Sequence, residues 1–86
     1  MEATNLNILS WNPRGLNDLS RRTSVKRVVE DAAASVVCVM ESKLQVVTLF
    51  IVNETFCSRY DGFTYLPAVG TAGGVIVAWQ STIIAR

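Results

Sequence analysis

The sequence predicts an α/β fold in the order strand, helix, strand, helix, strand, strand. Three observations predict it. Two runs of five apolar residues, Val36–Met40 and Val75–Trp79, have the length and β-branched content of core strands. Between residues 19 and 34 the apolar residues recur at helical spacing instead. Turn-forming clusters at residues 12–15 and 70–74 divide these segments.

The first strand rests on alternation. Leu6, Ile8 and Ser10 alternate with Asn7, Leu9 and Trp11, and Pro13 cannot donate to a sheet ladder, so the strand should end near Asn12. A helix follows over residues 19–34, with Asn17 or Asp18 available as its N-cap. Val25, Val28, Val29 and Ala32 fall within one arc of about 100°, opposite Lys26, Arg27, Glu30 and Asp31. Pairs of the latter, Lys26 with Glu30 and Arg27 with Asp31, have the spacing of weak surface ion pairs.

Val36–Met40 reads as a strand covered on both faces, ending at Glu41. A second helix is expected over residues 46–60, where Val46, Leu49, Phe50, Phe56, Cys57 and Tyr60 share a face. Gly62–Leu66 forms a short strand, and residues 70–74 a hairpin turn into Val75–Trp79. These glycines precede a strand rather than follow one, so the context of a phosphate-cradling loop is wrong. The first two strands should be parallel and neighbouring, joined by a right-handed crossover.

Composition narrows the chemistry. The 86 residues are 50% hydrophobic and 17% charged, with a net charge of +1, which is ample for a core and gives no global case for nucleic acid or an anionic membrane. With no histidine, this chain cannot itself build a Ser-His-Asp triad, a Cys-His dyad or a His-ligated zinc site. Cys38 and Cys57 do not form a C-x-x-C site, and Cys38 inside an apolar run reads as a small buried hydrophobe in a reduced, intracellular chain. The start lacks a signal-peptide pattern, and no apolar run nears the roughly 20 residues of a membrane span. Nothing in it chooses between nucleus and cytoplasm.

Ligand sites in open α/β sheets collect at the carboxyl ends of strands, where this chain carries Asn12 and Glu41. Strands about 4.8 Å apart would let an amide and a carboxylate share one hard cation or one water. Glu41 alternatively marks the point where the strand meets solvent, and Asn12 an ordinary turn before Pro13. Arg14, Arg21, Arg22, Lys26 and Arg27 give residues 14–27 a net charge of +4, leaving −3 elsewhere. Arg14 then serves either as a phosphate contact or as part of a solvated basic segment.

Residues 8–17, Ile-Leu-Ser-Trp-Asn-Pro-Arg-Gly-Leu-Asn, resemble the "ILSWNxRGLN" opening of the endonuclease domain of plant LINE-type, non-LTR retrotransposons, in the endonuclease/exonuclease/phosphatase superfamily. Residues 36–44 resemble that family's "DVVCLQETKL", and residues 70–75 its "GTRGGI", in the same order. The resemblance implies a four-layer α/β sandwich and Mg²⁺-dependent cleavage of a DNA phosphodiester, used to nick the target. It places Glu41 at the metal and Asn12 beside it, with Mg²⁺ acting as a Lewis acid on phosphate oxygens. Arg14 is the candidate nucleic-acid contact through its place beside Asn12, and no small-molecule cofactor or membrane is expected.

The sequence departs from the pattern at Met40, Ser42 and Ala72, where the family has glutamine, threonine and arginine. These changes spare the metal ligand but alter groups around it. The family's D-x-N motif and late histidine lie downstream of residue 86. Residues 1–86 are therefore expected to be the N-terminal third of an incomplete sandwich, inactive alone, with an uncovered sheet face prone to aggregation. The alternative is a stand-alone α/β module gripping nucleic acid or a protein through Arg14, Arg21 and Arg22.

Overall fold

The computed structural model describes residues 7–70 and 72–82, so Leu6 of the expected first strand and Thr71 of the expected turn lie outside the described residues. The elements are β1 (Ile8–Trp11), α1 (Leu19–Ala32), β2 (Val36–Met40), α2 (Leu49–Phe56), β3 (Gly62–Leu66) and β4 (Val75–Trp79). The α/β class and the order of elements follow the sequence expectation.

One mixed sheet runs β1-β2-β4-β3. β1 and β2 are parallel and adjacent, with Trp11 level with Val39. β4 is antiparallel to β2, with Met40 level with Val75, and antiparallel to β3, with Leu66 level with Val75. The glycine-bearing segment thus joins an antiparallel pair, as a hairpin connection should, and a bridge between Val69 and Ala72 narrows it. Because β4 runs against β2, its amino end lies beside the carboxyl end of β2.

Each helix is bounded by identifiable chemistry. The Asp18 side chain accepts from Arg21 N–H and caps α1, while Ala33 turns left-handed at φ 51° and closes it with an N–H donated to the Val29 carbonyl. This ends α1 two residues before the expected boundary at residue 34. Thr48 caps α2 by accepting from Ile51 N–H, and Cys57 at φ 68° ends it.

α2 corrects the sequence expectation in both length and face. Val46, Leu49 and Phe50 are exposed, whereas Val52, Thr55 and Phe56 are buried, as is Val47 before the helix. Phe56 and Tyr60 of the expected stripe are buried, but its first half is not, and the packed face of the helix runs at i, i+3 and i+4 from Val52. Cys57 is half-buried at the helix end. On α1, Val25 and Val29 are buried, while Ala32 is exposed. Among the described residues neither Lys26–Glu30 nor Arg27–Asp31 closes to an ion pair within 4 Å.

The core is one cluster in which Val25 and Val29 of α1 and Val52 and Phe56 of α2 meet Val37, Val39, Ile76 and Ala78 of the sheet. Tyr60, buried after α2, donates its hydroxyl to the Ala34 carbonyl, which also accepts from Gln80 Nε2 at 3.0 Å. Both helices therefore lie over one sheet face. The other face carries Val36, Cys38 and Met40 of β2, none of them fully buried. The expectation that Val36–Met40 is covered on both faces is not met among the described residues, and Cys38 is half-buried rather than a core residue.

Candidate functional site

The parallel pairing of β1 and β2 fixes where the two candidate oxygen donors stand. Asn12 follows Trp11, the last paired residue of β1, and Glu41 follows Met40 at the end of β2. Both backbones emerge at one carboxyl edge, on neighbouring strands about 4.8 Å apart. Glu41 is half-buried, and among the described residues its carboxylate has no ion-pair partner within 4 Å.

The chain turns sharply here. Arg14, Glu41 and Lys43 have φ of 61°, 57° and 60°, and Gly15 has 113°. A left-handed conformation costs an L-residue about 1 kcal/mol or more, so three such residues at one edge need support. Hydrogen bonds supply it. Ser42 N–H donates to the Gly74 carbonyl at 3.0 Å, Lys43 N–H to Gly73 at 2.8 Å, and Leu16 N–H to the Ser42 carbonyl at 2.9 Å. The segments after β1, after β2 and before β4 are thereby tied together, with Ser42 wholly buried where they meet.

The first segment is held by its own side chains. Asn12 Oδ1 accepts from Arg14 N–H at 3.1 Å, forming an Asx-type turn across Pro13. Arg21 reaches back from α1 and donates to the carbonyls of Pro13 and Arg14. Asn17 Nδ2 donates to the Lys43 carbonyl at 3.4 Å, linking this segment to the one after β2. Asp18 at the helix start is held below its ordinary carboxylate range, chiefly by the Arg21 N–H and then by the Ser20 hydroxyl.

Two open hollows of about 250 Å³ flank this segment. One is lined by Trp11, Asn12, Arg14, Arg21 and apolar residues of α1. The other lies between Arg14, Gly15, Asn17, Asp18, Arg21 and Lys43, and its three cations outnumber its single carboxylate. Glu41 lines neither. Asn12 and Arg14 thus share one hollow, Arg14 and Lys43 share the other, and Glu41 stands at the same edge through the strand pairing.

One of the expected basic residues, Arg22, is committed elsewhere, whereas Arg21 lines both hollows. Arg22 Nε meets Glu54 Oε1 of α2 at 2.9 Å, and its NH1 donates to the Leu16 carbonyl at 2.7 Å. Arg22 therefore joins the helices instead of facing a ligand, and Arg21 is partly used by the Pro13 and Arg14 carbonyls. Sequence reasoning overlooked Lys43, whose signal was its place two residues past Glu41. It also overlooked Gly73 and Gly74, whose carbonyls brace the site because β4 is antiparallel to β2.

A hard cation prefers about six oxygen ligands. Asn12 and Glu41 offer the right donor type in too small a number, and among the described residues no cluster of three or more Asp, Glu, Cys or His side chains is placed to hold a metal. Also among the described residues, no helix is long and apolar enough to cross a membrane.

No protein-family model matches the chain, and no curated protein matches it. Solved structures do. The AP endonuclease LMAP from Leishmania major superposes with a TM-score of 0.60 at 22% identity, over 90% of this chain and 24% of that one. The catalytic domain of Xenopus laevis APE2 gives a TM-score of 0.58 at 21% identity, over 88% of this chain and 24% of that one. This chain spans about a quarter of the length of these structures, and the likeness is one of fold.

Proposed function

We propose that residues 1–86 are the N-terminal part of a Mg²⁺-dependent DNA endonuclease domain of the LINE-type retrotransposon kind, inactive by themselves. The observation that carries this reading is the emergence of Asn12 and Glu41 at the shared carboxyl edge of two parallel strands, one donor per strand. The fold likeness to two AP endonucleases supports it, as do the ordered sequence blocks around residues 8–17, 36–44 and 70–75.

In this reading Glu41 and Asn12 would hold the metal, which when bound polarises phosphate oxygens. Arg14 and Lys43 hold the DNA backbone through the basic hollow they share. Arg21 fixes the segment carrying Asn12 and Arg14 by binding its carbonyls. Two oxygen donors are an incomplete ligand set, and histidine, the commonest general base, is missing from these residues, so they are expected to be inactive alone.

The test uses purified protein, supercoiled plasmid and Mg²⁺. No nicking is expected. Nicking that EDTA abolishes and Glu41→Ala removes would contradict the inactivity. If the gene continues past Arg86, a D-x-N motif and a later histidine motif should be found there.

A further inference from the structure

The first half of α1 carries Arg21-Arg22-Thr23-Ser24-Val25, a hydroxyl with arginines three and two residues before it and an apolar residue directly after it. Basophilic serine kinases read this pattern, pairing the two arginines with carboxylates of their cleft. Ser24 is exposed, and its hydroxyl donates to the Ser20 carbonyl at 3.0 Å. It also lines the hollow that Trp11, Asn12, Arg14 and Arg21 share.

We propose that Ser24 is a phosphorylation site whose phosphate pairs with Arg14 and Arg21 and so draws both away from the neighbouring basic hollow. The transfer forms an Oγ–P bond at Ser24 and breaks the bond between the γ-phosphorus of ATP and its bridging oxygen. ADP leaves with that oxygen, and the hydroxyl proton passes to the base of the kinase. A kinase cleft takes its acceptor in extended form, so the first turns of α1 must open. Of residues 19–24 only Arg22 is not exposed, and the bond from Ser24 back to the i−4 carbonyl weakens the helix locally. Arg22 must leave Glu54, and Val25 the core, so the reaction runs through a minor open population.

The consequence is electrostatic. A phosphoserine carries about −1.5 to −2 charges at pH 7. The hollow beside Ser24 is lined by two cations and no carboxylate, so the phosphate meets unbalanced positive charge. Among the described residues Arg21 spends only Nη1 on the Pro13 and Arg14 carbonyls, which leaves the rest of its fork for phosphate oxygens. Both arginines also line the basic hollow with Lys43 and Asp18. Phosphorylation leaves Lys43 as the one cation there that the phosphate does not hold, and attraction for a DNA backbone falls. This last effect rests on the DNA reading above, whereas the modification and its docking do not.

The test treats the purified chain in native buffer with ATP and the catalytic subunit of cyclic-AMP-dependent protein kinase, reading intact mass and then phosphorus NMR. One phosphate per chain is expected, more slowly than in a free peptide of residues 18–28. Ser24→Ala, an exposed exchange to a better helix former, should abolish it. Arg21→Ala should slow it roughly tenfold or more, because one charge-assisted pairing in the kinase cleft is lost. The phosphoserine should titrate below its ordinary second pKa of about 6, and Arg14→Ala, outside the kinase pattern, should return it toward that value. Affinity for duplex DNA should fall roughly tenfold or more on phosphorylation. No incorporation, incorporation retained in Ser24→Ala, a titration unmoved by Arg14→Ala, or DNA affinity unchanged by the phosphate would each overturn the proposal. If the unmodified chain does not bind DNA while incorporation and titration follow expectation, the DNA reading fails and the phosphorylation site stands.

Discussion

Ser42 and Gly74 are locked by a close approach that only glycine permits. Ser42 N–H donates to the Gly74 carbonyl at 3.0 Å, and a Cβ at Gly74 would overlap Ser42 Oγ. Gly74 also has φ of 90°. Gly74→Ala should therefore destabilise the protein by about 2 kcal/mol, combining backbone strain with steric overlap. Gly70→Ala, at φ 63° with nothing within 4 Å of its Cβ, should cost only about 1 kcal/mol. Urea unfolding of the two variants measures the difference.

The Arg22–Glu54 pair joins α1 to α2 with side chains only 15% and 24% exposed. Arg22 also satisfies the Leu16 carbonyl. Arg22→Ala should cost about 2 kcal/mol, and Glu54→Gln, which keeps an acceptor, about 1 kcal/mol or less. A double-mutant cycle in urea should show coupling between them. Additivity would mean that the pair contributes nothing beyond its separate contacts.

Two carboxylates make stability fall in acid. Asp18 is held low by the Arg21 N–H and the Ser20 hydroxyl, and Asp61 by the Ser81 hydroxyl and N–H. With folded pKa values depressed below the ordinary 3.8, their stabilisation is present above 3.8 and lost as pH falls through the folded values. Both groups are exposed, so each effect is small. Asp18→Asn and Asp61→Asn should flatten the loss of the urea midpoint below that pH, and an unchanged slope would remove these groups from the acid response.

Arg14→Ala and Lys43→Ala should each weaken binding to duplex DNA and lower its salt slope by about 1, as expected for single phosphate contacts. Arg22→Ala at matched folded fraction should leave the slope unchanged, because Arg22 is spent on Glu54 and Leu16. A fluorescence titration across salt concentrations distinguishes them. Equal effects at Arg14 and Arg22 would favour the basic-module reading instead.

Local chemistry made most of the elements legible. The apolar runs at Val36–Met40 and Val75–Trp79 are strands with the expected limits, and Asp18 caps α1. The non-local facts were not legible. The insertion of β4 between β2 and β3 depends on long-range pairing, and with it came the role of the Gly73 and Gly74 carbonyls. The face of α2 was read correctly at Phe56 and wrongly at its start, because apolar residues surround that helix and only packing selects Val52 over Leu49 and Phe50. That Asn12 and Glu41 follow the ends of two neighbouring parallel strands was legible from the apolar runs before them. Lys43 was not, because its approach to Gly15 follows from two tertiary turns.

Paramagnetic broadening of backbone amide resonances by Mn²⁺ tests most directly whether Asn12 and Glu41 face one cation position. Weak binding in fast exchange should broaden the amides of residues 12–14 and 40–43 selectively, with excess Mg²⁺ reversing it and Glu41→Gln abolishing it. Uniform broadening over the surface, or selective broadening that survives Glu41→Gln, would contradict a shared metal edge at these two strands.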